Sequence, residues 1–215
     1  MDKRRLLMIG SVFVALLTLA FPSLDGWMQF DRSAISAGQV WRLLTGHWTH
    51  WSAEHLIWSG GAFVLLLGLC RGSDRRVLGC VELAALAVSA AVWAGTELQQ
   101  YRGLSGIDSA LFTMLAIDLM REKAQERRFA WVGVTVALVA GFALKVGYEW
   151  LSGGAVFVDG LTPVPLAHAV GAAVGLLVAL WPGRGCRARR AMPMMTAWRF
   201  RCDRAAGGTG NISAS

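Results

Sequence analysis

The sequence predicts an all-α membrane protein, a bundle of six transmembrane helices with both termini on the cytoplasmic side. Three observations carry this. Of 215 residues, 55% are hydrophobic and 16% charged, with a mean hydropathy of +0.47, whereas a soluble domain carries about a quarter charged residues. Six apolar runs approach the ~20 residues that span a bilayer. They cover Leu6–Phe21, His55–Cys70, Val77–Leu98, Leu104–Met120, Phe129–Leu151 and Val164–Trp181. The basic residues fall in four clusters, Lys3 to Arg5, Arg71 to Arg76, Arg121 to Arg128 and Arg184 to Arg204, which six spans place on one side. Only Arg32, Arg42 and Arg102 fall opposite, the positive-inside pattern. Residues 1–182 read as one domain, and 183–215 as a basic, disordered cytoplasmic tail.

The first run follows Met1-Asp2-Lys3-Arg4-Arg5, like a secretory leader, but no small-x-small cleavage pattern comes after it, so it reads as a retained helix. The long loop before the second run carries Trp27, Phe30, Trp41, Trp48 and Trp51, aromatics suited to the headgroup layer of the outer leaflet. The inner loops are short and charged. Cys70 and Cys80 end up at inner helix ends and Cys186 and Cys202 in the tail, a reducing compartment where no disulfide is expected. Lys145 and Glu149, one turn apart near the outer end of the fifth run, read as a snorkelling surface pair. The net charge of +7 lies in inner loops and tail, which fits anionic lipid and not nucleic acid, so no nucleic-acid partner is expected.

Chemistry concentrates in two places. Gly103-Leu104-Ser105-Gly106 opens the fourth run, and His168 stands in the sixth. Ionisable side chains at membrane depth are rare and default to a functional reading. A serine with a histidine is the minimum for an activated hydroxyl nucleophile. The flanking glycines permit an unusual backbone at a helix start, where free N–H groups can face an oxyanion. His168, Gly171 and Gly175 share a helical face, and Gly171-x-x-x-Gly175 is a small-residue seam for close helix contact. On that helix alone, His168 reads equally as a core histidine bonded to a carbonyl. The other histidines, His47, His50 and His55, lie around the start of the second run, with neither HExxH nor a matching carboxylate cluster, so no metal is expected. His55 and Ser59, one turn apart, read as oxyanion donors, and His47 and His50 as hydrogen bonds that hold the loop.

These motifs resemble the rhomboid family of intramembrane serine proteases. The resemblance rests on Trp41-Arg42, the His-rich approach to the second run, His55 with Ser59, Gly103-Leu104-Ser105-Gly106, and Ala167-His168-x-x-Gly171-x-x-x-Gly175. It implies a six-helix rhomboid-like bundle with Ser105 as nucleophile, His168 as base, and His55 with the Ser105 N–H lining an oxyanion hole, without a cofactor. Ser59 stands where the family has Asn, and Ser109 where many members have a Tyr stacked on the histidine. Ser109 or Asp108 would then orient His168 by hydrogen bonding. Asp108 reads alternatively as a protonated or hydrogen-bonded group inside the bundle.

The stretches 47–55 and 101–109 resemble the rhombosortase branch in particular. This implies substrates with a C-terminal Gly-Gly signal, a membrane helix and a basic cluster. The expected enzyme is a serine endopeptidase of the bacterial inner membrane, acting near the outer face. Its site would be reached through a cavity gated by the fifth helix and the loop Ser152–Pro163. The alternative is a catalytically silent relative that binds membrane clients. A transporter would need discontinuous helices and repeat symmetry, which the sequence lacks.

Overall fold

Every one of the six apolar runs is helical in the computed structural model, which describes residues 3–154 and 162–181. In chain order these form α1 (Lys3–Ala20), α2 (Pro22–Met28), β1 (Phe30–Asp31), α3 (Arg32–Ser36), α4 (Arg42–Thr45), a 3-10 turn (Gly46–Trp48), α5 (Ala53–Leu69), α6 (Asp74–Gly95), β2 (Gln100–Tyr101), α7 (Ser105–Gln125), α8 (Phe129–Ser152) and α9 (Pro165–Leu180). By length and composition, α6 and α8 can each cross a membrane. The number rises to four if two sharply bent pairs each count as one span, α1 with α2 (118°) and Arg42–Trp48 with α5 (100°). The basic tail and most of the loop Ser152–Pro163 lie outside the described residues.

Local chemistry moves several boundaries. Helix α6 starts three residues before its apolar run because Ser73 Oγ accepts the Arg76 N–H as an N-cap. It stops at Gly95, short of the expected Leu98. There the Arg32 guanidinium donates to the carbonyls of Val92 (3.1 Å), Trp93 (2.9 Å), Thr96 (2.6 Å) and Leu98 (3.0 Å), satisfying the end of the helix. Helix α7 continues past Met120 to Gln125 because its last charged turn is paired. Arg76 meets Asp118 at 2.6 and 3.0 Å, Lys123 meets Glu126 at 2.8 Å, and Arg71 meets Glu122.

The long loop is structured. β1 pairs antiparallel with β2 in the register Phe30↔Tyr101 and Asp31↔Gln100, tying the loop to the approach to α7. Its aromatics do not all face headgroups. Trp27 and Trp41 are exposed and stack at 5.2 Å, but Phe30 is fully buried and Trp48 donates to Ser11 Oγ at 2.8 Å. Arg42 is buried too, bound to the carbonyls of Gly26 and Gln29 and to Gln39 Oε1.

Helix α7 is the centre of the bundle. It packs on α5, α6 and α8 and most closely on α9, around a core that includes Phe63, Leu67, Val77, Ile107, Leu111 and Met114. Helix α8 is peripheral, since Thr135 and Glu149 alone of its side chains are buried. Cys70 and Cys80 are buried free thiols.

Candidate active site

The turn into α7 requires glycine. Gly103 has φ +109°, and a Cβ there would lie 2.8 Å from Cε1 and Nε2 of His55. The turn sets Ser105 at the first position of α7, where the leading N–H groups have no acceptor within the helix. Close approach then brings in α9. A Cβ on Gly106 would meet Val88 at 2.9 Å and the Ala167 carbonyl at 3.1 Å. Cβ atoms on Gly171 and Gly175 would lie 1.9 Å from the Gly106 oxygen and 2.1 Å from the Ala110 oxygen. The small-residue seam therefore lets α9 rest on the α7 backbone itself, and His168 arrives beside Ser109.

The hydrogen bonds fix the histidine's tautomer. Ser109 Oγ lies 2.8 Å from the Ser105 carbonyl and 3.2 Å from His168 Nδ1. The hydroxyl has one proton, which goes to the carbonyl because a carbonyl only accepts. Ser109 Oγ therefore accepts from Nδ1–H, and Nε2 is left with its lone pair. Of the two candidates for orienting His168, Ser109 makes the contact. Asp108 does not: its Oδ2 accepts from Ser59 Oγ at 3.4 Å, so Asp108 takes the alternative reading of a hydrogen-bonded group inside the bundle.

Ser59 also differs from the expected oxyanion donor. Its oxygen accepts the Leu104 N–H at 3.1 Å and its proton goes to Asp108. The hydroxyl braces the turn before Ser105. The Trp51 N–H donates to His55 Nδ1 at 3.4 Å, so His55 carries its proton on Nε2, the atom next to Gly103. His47 holds the loop as expected, with Nε2 3.0 Å from both the Ala85 carbonyl and Ser89 Oγ, and Nδ1 3.4 Å from the Gly103 carbonyl. His50 packs edge-on to His55 at 5.1 Å, with the Trp48 backbone of the loop beside its ring. Burial, with His55 beside it, brings the His50 pKa down to about 3, and burial also lowers that of His47.

Ser105, Ser109, His168, His55, Ser59 and Asp108 all line one cavity of about 640 Å³, walled on its apolar side by Trp51, Trp58, Phe112 and Phe142. Lys145 and Glu149 line it too, which overturns their reading as a surface pair: Glu149 is 3% exposed, and its Oε2 lies 2.8 Å from Lys145 Nζ and 3.5 Å from His168 Nε2. Two charges within a run otherwise this apolar were the available signal. Tyr101 gave none. Its hydroxyl is buried on the cavity wall, beside the Ser105 side chain and the Gly106 backbone.

The profile of the Rhomboid domain matches residues 37–184. The chain belongs to the rhomboid family. Similar proteins include the Rhomboid protease GlpG of Yersinia pestis (strain Pestoides F), 23% identical over 177 residues. The protein of that name from Yersinia enterocolitica serotype O:8 is 22% identical over the same length. Both alignments cover 81% of this chain but 59% of the relative, so the chain spans somewhat over half the length of the curated relatives it matches.

Proposed function

We propose that this rhomboid-family member is an intramembrane serine endopeptidase in which Ser105 is the nucleophile and His168 the general base. The observation that carries the reading is the contact of Ser109 Oγ with His168 Nδ1, which assigns the ring proton to Nδ1 and the lone pair to Nε2, in the cavity that Ser105 also lines. Ser105 Oγ attacks the scissile carbonyl while Nε2 takes its proton. The resulting oxyanion is met by His55 Nε2–H and the Ser105 N–H at the start of α7. His168 then returns the proton to the leaving amine, giving an acyl-enzyme on Ser105. A water molecule, deprotonated by the same nitrogen, hydrolyses the ester.

The substrate is a single-span membrane protein, cut near the outer face of a bacterial inner membrane at a C-terminal Gly-Gly signal of rhombosortase type. Glycine suits the scissile site because the protease must bind an extended backbone, and Gly already costs a helix about 1 kcal/mol. The reading takes six spans with both termini cytoplasmic and a cavity toward the outer side, supported by the one-sided distribution of the basic residues. Helix α8, with almost all of its surface exposed, is the wall that moves aside to admit substrate.

The test is labelling by a fluorophosphonate probe. The wild-type chain is expected to label, and Ser105→Ala and His168→Ala are not. Labelling that persists in Ser105→Ala rejects the nucleophile, and folded wild type that never labels favours a client-binding role. Cleavage of a membrane-anchored reporter with and without its Gly-Gly pair tests the substrate.

A further inference from the structure

We infer that Lys145 and Glu149 of α8 form a charge-balanced clasp that positions His168 for proton transfer; this rests on the reading of His168 as base. Helix α8 turns apolar side chains outward along nearly its whole length, and Thr135 and Glu149 are its buried residues. A buried carboxylate costs free energy that an apolar side chain of similar size would not. That makes Glu149 an expensive way to seat a peripheral helix, unless its charge serves the group it faces.

The geometry defines that service. Lys145 Nζ and Glu149 Oε2 each lie 3.5 Å from His168 Nε2 and 2.8 Å from each other. At equal distances their effects on a charge at Nε2 nearly cancel. The pair nevertheless presents a donor and an acceptor to the same ring atom. In the resting ring the ammonium flanks Nε2 at 3.5 Å, and the single lone pair is left for the Ser105 proton. Once Nε2 has taken the Ser105 proton, its N–H faces the carboxylate. The proton passes from Ser105 Oγ to Nε2 and on to the leaving amine, while Lys145 and Glu149 gain and lose none. From α7 the ring meets Ser109, whose bond to Nδ1 prevents it from flipping. The base is thus held from two helices, and its Nε2 side depends on where α8 stands.

Charge balance makes a prediction that simple packing does not. In Glu149→Gln the Lys145 ammonium lacks this carboxylate beside the nitrogen that must become positive. Fluorophosphonate labelling of the full chain is expected to slow by about 10- to 100-fold. Lys145→Met, which loses the donor but keeps the carboxylate, is expected to slow labelling less than Glu149→Gln does. The double variant Lys145→Met/Glu149→Gln, neutral again but without the clasp, should label faster than Glu149→Gln and still slower than wild type. Equal losses in all three variants, or a Glu149→Gln rate equal to or above wild type, would overturn the clasp. The ring ¹⁵N shifts of His168 in histidine-labelled protein separate this inference from the reading beneath it. Glu149→Gln should move the Nε2 shift whether or not Ser105 reacts with the probe. An unmoved shift refutes the clasp alone, and a wild type that fails to label while the shift moves refutes only the catalytic role.

Discussion

Replacing Gly171 with alanine puts the contact between α7 and α9 to a direct test. The added methyl would start 1.9 Å from the Gly106 carbonyl oxygen. It must retreat by about 1.5 Å to reach the 3.4 Å of ordinary contact. Its obstacle is helix backbone, so the two helices must separate. Overpacking of this kind costs about 1–3 kcal/mol. The chemical effect should be larger than the stability effect, because His168 lies one turn before Gly171 and Gly106 directly follows Ser105. The 3.2 Å bond between Ser109 and His168 would stretch beyond hydrogen-bond reach. Misplacement by about 1 Å can cost on the order of 100-fold in rate. The assay is fluorophosphonate labelling of folded Gly171→Ala protein, with its thermal midpoint measured alongside. Gly141→Ala on α8, where a Cβ meets nothing within 4 Å, is the control and should label like wild type. If Gly171→Ala labels within about threefold of wild type, the close packing of α9 on α7 does not set the Ser105–His168 geometry.

Three other outcomes follow from the contacts. Ser109→Ala removes the acceptor that fixes the His168 tautomer, and should lower kcat about 10-fold with little change in KM; Asp108→Asn, whose partner is Ser59, should not reproduce that split. Arg32→Ala strips donors from four carbonyls at the end of α6 and should lower unfolding stability by about 2–3 kcal/mol, read as a shifted midpoint. His50, held at about 3 against an ordinary 6.5, binds its proton in the unfolded chain first. Stability should therefore be full above pH 6.5 and fall between 6.5 and 3, by up to about 1.4 kcal/mol per unit. Melts at stepped pH check this, and the fall should be smaller in His50→Leu.

The sequence by itself determined where the six long helices lie and which residues carry the chemistry of the proposed site, because both are written in local pattern. An apolar run has its length whatever it packs against. Gly103-Leu104-Ser105-Gly106 specifies a turn into a helix through its own backbone, and the spacing of His168, Gly171 and Gly175 puts them on one face before any partner arrives. What stayed hidden was decided by neighbours distant in the chain. The pairing of Phe30 with Tyr101 joins residues 71 apart over two positions, too short to leave a period-2 signal. Ser59 looked like an oxyanion donor until Leu104 and Asp108 took up its hydroxyl. Asp108 and Ser109, adjacent in sequence, had equal claims on His168, and the turn of α7 gave one to Ser59 and the other to the ring. Lys145 and Glu149 show the limit most clearly. Their spacing fixes that they meet each other, but whether they meet lipid or His168 depends on how α8 is rotated against α7 and α9. Helix rotation is set by the packing of whole faces, so tertiary structure alone turned that pair inward.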